Sequence, residues 1–476
     1  MANQSERDSV DIGAVLDGAR FRGLPALVMV CTAGIMILDG FDIQAIGFAA
    51  PAIAAELGIE RSDLAPVFAA ALIGMAVGSF ILGPWGDRYG RKPAILISTV
   101  SFGLATPVTA FASSVTELTV LRFVTGIGLG GALPNSTALM AEFAPPRVRG
   151  QAIAAAIVGV PVGGIVGAAV AAEIIPAFGW ESIFIVGGIL PLLAAGIIYL
   201  ILPESPRYLA AHPDRWRELA GILNLVVKEA RFTGGERFVL TSHATADEAL
   251  GQRNVFSGEL LRDSIAVWII FSTNAFAVYC FFNWAPTVLT SLGVDLATAV
   301  RGSLVFNTAG VLGALTLSWL IARTGSRWPQ TILGATGALT MVFISQLVDR
   351  DAPISGTIGA LMAGFAVAGF CVNTVQVTMY AVGAHVYPTA CRAAGMGWAL
   401  GMARLGGVLS AFAGAIMLTR GGASGFFVVI AGVLAVTAAA VLTLRRHLPP
   451  AGLPSSAIAA ADDQAGTNVS TGRPEA

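Results

Sequence analysis

Apolar stretches of roughly 20 residues recur twelve times along this chain, each long enough to cross a bilayer as a helix. Of the 476 residues 55% are hydrophobic and only 12% are charged. A soluble protein of ordinary composition would carry about 25% charged residues. Mean hydropathy is +0.76. The expectation is an all-α membrane protein with twelve transmembrane helices. A polar stretch at 203–263 divides them into two six-helix bundles, 25–202 and 264–444. A polar segment, 1–24, precedes the first span, which is too long for the core of a cleavable signal peptide. The tail, 445–476, is rich in Ala, Ser, Gly and Asp, a composition expected to remain disordered.

Basic residues set the expected orientation. With both termini in the cytoplasm, 22 of the 28 Lys and Arg fall in cytoplasmic segments. Arg61, Arg301, Arg350 and Arg420 fall outside, and Arg122 and Arg404 lie within spans. This bias follows the positive-inside rule. The halves also resemble each other. The stretch EFAPPRVRGQAIAAAIVGVPVGG, from Glu142, aligns without a gap to HVYPTACRAAGMGWALGMARLGG, from His385. Pro145 meets Pro388, Arg149 meets Arg392, and Gly163–Gly164 meets Gly406–Gly407. Such a repeat predicts two pseudo-symmetric bundles with a site between them near mid-membrane. The pairing breaks where Glu142 meets His385 and Pro161 meets Arg404.

Asp39 and Asp42 sit within the first span, three residues apart and so on one helical face. An ionisable group in hydrocarbon is retained for a function or is paired. Asp39 lies about 14 residues, hence about 21 Å, from the cytoplasmic edge, and Arg122 about 8 Å below the outer edge in a span running the opposite way. In a core of about 30 Å these depths coincide. Two readings stay open: a permanent ion pair, or a proton site whose affinity burial raises against a lowering by the arginine. Arg404 falls about 17 Å deep, at the midplane. Its planar, permanently charged guanidinium suits a two-pronged contact with a substrate carboxylate; the alternative is an aspartate partner across the interface. Two carboxylates and two guanidinium groups make the empty site neutral. An entering anion is then balanced by one proton on the aspartates.

The connection between spans two and three reads GPWGDRYGRKPA, where Asp87, Arg88, Arg91 and Lys92 crowd a glycine-containing turn. This pattern resembles the signature loop of the major facilitator superfamily. The equivalent IARTGSRWP has Ala322 in place of the aspartate. LRFVTGIGLGGALPN in span four and LPESPRYL at 202–209 resemble the sugar- and acid-transporting branches of that superfamily. DGFD in span one, with Arg122 and CRAAGMGWALGMARLGG, is similar to the aromatic acid:proton symporter family, nearest the hydroxyphenylpropionate carriers. The resemblance, over residues 25–445, implies a major facilitator fold and import of a small aromatic carboxylate, such as a hydroxybenzoate, with a proton. It implies proton coupling at Asp39 and Asp42, and a bacterial cytoplasmic (inner) membrane, multi-pass location as a monomer.

Substrate contact is expected from Arg404 and Arg122, and from the amides Asn283 and Gln376. Span seven, NAFAVYCFFNWAP, adds Asn274, Tyr279 and Trp284, a mixture suited to a hydroxylated ring in an apolar pocket. Ordinary helix packing, with Trp284 at the membrane interface, is the other reading. Gate roles are expected for Asp87, Arg88, Arg91, Glu142, Arg149 and Arg392; His385 reads as a loop histidine or a proton relay. Cys31, Cys280, Cys371 and Cys391 show no metal or disulfide spacing. No phosphate-binding loop or metal-ligand cluster is present, so no cofactor, metal, enzymatic activity, ATP-driven cycle or nucleic-acid partner is expected. The competing classes are a carrier for a sugar or a drug, or a membrane sensor that kept this fold without turnover.

Overall fold

The computed structural model describes residues 9–227, 232–239, 255–256, 258–349, 356–388 and 391–449. The tail from 450 onward and parts of the central 203–263 stretch lie outside the described residues. Six long helices form the first half: α1 (Leu24–Leu57), α2 (Ala65–Tyr89), α3 (Arg91–Thr109), α4 (Val115–Phe143), α5 (Pro146–Phe178) and α6 (Glu181–Ile201). The second half contains α7 (Gly258–Ser291), α8 (Leu296–Thr324), α9 (Arg327–Val348) and α10 (Ile358–Val386). A final rod, Arg392–Thr443, changes direction at Gly422 (φ 59°), which separates α11 (392–421) from α12 (423–443). Among the described residues nine helical stretches are long and apolar enough to cross a membrane. The last of these holds both α11 and α12, and α3 and α4 fall outside the nine. Among the described residues, one of these twelve long helices falls at each of the twelve expected spans.

Local chemistry sets the helix ends. Ser114 and Asp295 accept the backbone N–H of Glu117 and Thr298 at the starts of α4 and α8. The tight α2–α3 turn needs Gly90 at φ 108°, and the repeat-equivalent turn has Gly325 at φ 83°. In α5 the helix is interrupted at Val158. Pro161 cannot donate to the carbonyl four residues back, which falls at this break.

The repeat is preserved in three dimensions. Arg149 Nε donates to Ala144 O at 3.1 Å, and its mate Arg392 donates to Tyr387 O at 3.3 Å. A methyl on Gly163 would fall 2.0 Å from Ile37 O, and one on Gly406 would fall 2.0 Å from Ser272 O. These crossings match α1 to α7, with Ile37 opposite Ser272 and hence Asp39 opposite Asn274. A methyl on Gly47 would likewise strike Phe282 O at 2.0 Å, so α1 and α7 pass in backbone contact.

Helix α1 packs on α5, α4 and α6, while α7 packs on α11, α8 and α10. The halves meet chiefly through α5 with α8, α2 with α11, and α1 with α7. Trp284 is fully buried in this seam, edge-on to Phe68 at 5.1 Å, a helix-packing position rather than a surface anchor. Gln44 Oε1 accepts from Asn307 Nδ2 at 2.8 Å and ties α1 to α8.

At the end carrying the α2–α3 turn, the fold departs slightly from all-helical. Ser9–Asp11 pairs in parallel with Arg237–Val239. The short helix Ile12–Asp17 packs Ile12 and Leu16 with Leu209, Leu219, Leu223 and Phe238. The segment before α1 is thus fastened beneath the first half.

Candidate functional site

Two buried charge systems lie inside the helices, and the structure separates them. The first is enclosed within the first half. Arg122 on α4 is 1% exposed and Asp42 on α1 is 0% exposed. Arg122 Nη1 donates to Asp42 Oδ2 at 3.2 Å, and Nη2 donates to Thr109 and Thr125 hydroxyls at 3.1 and 3.2 Å. The other Asp42 oxygen accepts from Thr106 Oγ1 at 2.6 Å. The guanidinium also lies 5.1 Å from the Phe184 ring centre, a favourable contact between a cation and an aromatic face. Both charged groups of this pair are thus hydrogen-bonded, which a buried pair requires to hold.

The second system spans the seam. Asp39, one turn before Asp42, is 1% exposed, and its Oδ1 has no hydrogen-bond partner among the described residues. The charges acting on it come from Arg404 and Asp42. Arg404 on α11 is half-buried. Its Nη1 reaches Tyr279 Oη at 3.3 Å and Met75 Sδ of the first half at 3.4 Å. Among the described residues no carboxylate lies within 4.0 Å of it. Asn274 Nδ2 donates to Gln376 Oε1 at 2.7 Å, and the Tyr380 hydroxyl lies beside Gln376. Asn283 is buried beside the Gly47 crossing, with Nδ2 unpartnered among the described residues.

The structure therefore brings Asp39, Arg404, Tyr279, Gln376 and Asn274 to one region and turns Asp42 and Arg122 toward each other. Met75 and Tyr380 are additions that sequence reasoning missed. The usable signal for Tyr380 was its position one helical turn after Gln376. Met75, a plain apolar residue, offered none.

The turn motif builds a third cluster. Arg91 is ion-paired with Asp87, donates to Asn135 Oδ1 at 2.9 Å, and holds Glu142 at 4.0 Å. Glu142 in turn accepts from the Ser205 hydroxyl. Glu204 accepts from the backbone N–H of Lys92 at 3.1 Å and of Ser205 at 2.8 Å. Burial pushes its carboxyl above the usual range, and those N–H groups oppose the shift. Glu204 and Ser205 belong to the quoted LPESPRYL stretch, but no role for them was legible there. Arg88 is exposed beside the Tyr89 ring. Arg149 meets Asp17 at 3.1 Å, whereas Arg392 keeps only its backbone carbonyl contact among the described contacts. His385 is exposed in the last turn of α10.

The major facilitator superfamily profile matches residues 32–356. The chain is 32% identical over 438 residues to the gallate transporter of Pseudomonas putida, covering 92% of this chain and 95% of that one. It is 36% identical over 403 residues to the 4-hydroxybenzoate transporter PcaK of Pseudomonas aeruginosa, covering 83% and 86%. It is 30% identical to the 3-(3-hydroxy-phenyl)propionate transporter of Escherichia coli, covering 86% and 89%. The inward open xylose transporter XylE from E. coli superposes with a TM-score of 0.68 at 20% identity, over 92% of this chain and 99% of that one. That likeness concerns the fold. The protein is a multi-pass membrane transporter and not an enzyme. With a profile match over most of its length and relatives covered almost end to end, the chain belongs to the major facilitator superfamily.

Proposed function

We propose that the chain is a proton-coupled symporter that imports a small aromatic carboxylate, such as a hydroxybenzoate or hydroxyphenylpropionate, by alternating access. The observation that carries this reading is Arg404. It is a half-buried guanidinium with no carboxylate partner among the described residues, set beside Tyr279 and within the field of Asp39. An arginine at a seam between two bundles, bonded only to neutral groups, is a ready receptor for an anion. The relatives named for gallate, 4-hydroxybenzoate and hydroxyphenylpropionate support the aromatic class.

The charge balance gives the coupling. Asp42 and Arg122 cancel within the first half. Asp39 and Arg404 cancel across the seam when the site is empty. An arriving carboxylate takes Arg404, which leaves Asp39 uncompensated in a low-dielectric place. A proton on Asp39 restores neutrality, so substrate and proton travel together. The contacts favour a positioning role for Arg122, exerted through Asp42, over direct contact with substrate. Residues 25–202 and 264–444 act as the two rocking bodies, joined by 203–263. Asp87, Arg88, Arg91, Glu142, Arg149 and Arg392 belong to the gate at the motif end. The distribution of Lys and Arg supports cytoplasmic termini, and the bacterial transporters that the chain resembles support placing it in the inner membrane. The symporter is proposed to work as a monomer.

The test is uptake into proteoliposomes of radiolabelled benzoate, hydroxybenzoates and phenylpropionates under an imposed pH gradient, acid outside. Accumulation driven by the gradient is expected for at least one acid. Uptake of none, or uptake indifferent to the gradient, overturns the reading.

A further inference from the structure

We infer that Asn274, Gln376 and Tyr380 form a reader for a ring hydroxyl on the substrate, with Tyr380 donating to it. This rests on the proposed transport of an aromatic carboxylate. The Val372 carbonyl can only accept, and it lies 3.3 Å from Asn274 Nδ2, which fixes that amide's orientation. The same nitrogen donates to Gln376 Oε1 at 2.7 Å. With Oε1 taken by Asn274, Gln376 has its –NH₂ left to face the neighbouring Tyr380 oxygen. Facing that amide, the Tyr380 hydroxyl keeps its own proton to give, and none of the described hydrogen bonds is donated by it.

The relay is held rigidly. Asn274 is 2% exposed, and the Tyr380 ring packs edge-on to Phe271 at 5.6 Å. Asn274 Oδ1 is buried with no partner among the described residues, and it carries a desolvation penalty that a ligand O–H would relieve. Position supports the assignment. Asn274 is the repeat-equivalent of Asp39, so one half presents a carboxylate and the other a neutral amide at the same level. Tyr380 also lies in the field of Arg404 and of Tyr279, which is itself bonded to Arg404, so the carboxylate anchor and the relay face one region. A phenol both donates and accepts, which complements an acceptor and a donor placed together.

A site built to bond a hydroxyl rejects the analogue lacking it, because its own polar groups are then left unpaired. The experiment measures affinities of benzoate, 3-hydroxybenzoate and 4-hydroxybenzoate for the purified full chain in nanodiscs, by isothermal titration. At least one hydroxybenzoate is expected to bind about tenfold tighter than benzoate, the value of one well-made hydrogen bond. Tyr380→Phe removes the hydroxyl and keeps the ring, and Gln376→Met breaks the relay at similar volume. Each is expected to pull that affinity ratio toward one. The ratio is internal to one preparation, so partial unfolding leaves it unaffected, and either variant suffices if the other fails to fold. An unchanged ratio in the variants, or a parent chain that binds benzoate and hydroxybenzoates equally, overturns this inference and leaves the transport reading standing. A parent chain that binds no aromatic carboxylate overturns both.

Discussion

Asp42 and Arg122 are locked together at 3.2 Å in the interior of the first half, with Thr106 donating to the carboxylate and Thr109 and Thr125 accepting from the guanidinium. Asp39, three residues earlier on the same helix, receives no such support at Oδ1. Two carboxylates that look equivalent along the chain therefore occupy different physical situations. One is compensated within its own half. The other is compensated only through the seam, where the partner charge is also the proposed receptor for substrate.

The first prediction concerns stability. Asp42→Asn leaves Arg122 as a buried cation with only neutral partners. Breaking a buried pair on one side costs about 3–5 kcal/mol. Thermal unfolding in detergent is expected to drop clearly for Asp42→Asn, while Asp39→Asn unfolds at or above the parent temperature. Equal losses in the two variants would show that the division between the aspartates is wrong.

Arg404→Lys is expected to fold normally and to lose at least about tenfold in affinity for an aromatic carboxylate. A compact ammonium on a flexible stem does not reproduce a planar, two-pronged contact held beside Tyr279. Titration of the purified variant reads this directly. An affinity within twofold of the parent would remove Arg404 from the substrate site.

The α2–α3 turn predicts a kinetic effect. Asp87 is 64% exposed on its side chain, so its pair with Arg91 contributes little stability, about 0–1 kcal/mol. Arg91 is 15% exposed and also binds Asn135 and Glu142. Asp87→Asn is expected to leave substrate affinity intact and slow transport by shifting the balance of the two access states. Arg91→Gln should slow it further. Loss of binding with an unchanged balance of states, read by site-directed cysteine accessibility at both ends, contradicts a mechanical role.

How much of this was legible before the structure differed by feature. The spans follow from apolar length alone. The α4–α5 and α10–α11 repeat was visible because Pro145, Arg149 and the glycine pair kept their identities, and the matched carbonyl contacts of Arg149 and Arg392 bear it out. The α1–α7 equivalence was hidden, because Asp39 and Asn274 diverged and only the glycine crossings betray it. The choice of Asp42 over Asp39 for Arg122 depends on helix rotation, which spacing does not specify. Depth estimates placed Arg122 level with both. Trp284 carries the composition of an interfacial anchor, and only its seat between Phe68 and Gly414 shows a seam residue. The pairing of Ser9–Asp11 with Arg237–Val239 involves strands of three residues, too short for any periodic signal.

The segment after α12 predicts a dependence of stability on acid. His447 lies outside the spans, its Nδ1 3.3 Å from Ser326 Oγ. Burial pushes it down to about 4; Arg327 and His385 act in the same direction, while Asp263 and a backbone hydrogen bond at Leu444 oppose. The folded state thus resists a proton that the unfolded chain takes up near its ordinary 6.5. Its contribution is fully present above 6.5 and is lost as pH falls toward 4. His447→Gln is expected to flatten the fall in unfolding temperature between these values. An unaltered pH profile in the variant would exclude His447 as its source.

The last prediction separates coupling from binding. If Asp39 carries the proton, a neutral side chain there mimics the protonated form permanently. Substrate then enters a site already balanced for an anion: Arg404 meets the carboxylate and no free negative charge remains beside it. Asp39→Asn is therefore expected to bind the aromatic acid at least as well as the parent and to exchange external label for internal unlabelled substrate. It should fail to accumulate substrate against a gradient, because no proton leaves on the far side to drive the return. The parent should accumulate more as the outside becomes more acidic and lose accumulation with a protonophore. Asp42→Asn, by contrast, should lose exchange and accumulation together, having released Arg122. Both activities are measured side by side in proteoliposomes of each variant. Accumulation by Asp39→Asn with the parent's pH dependence would place the proton elsewhere, and Glu142, with its Ser205 and Arg91 contacts at the motif end, would then be examined by the same pair of assays.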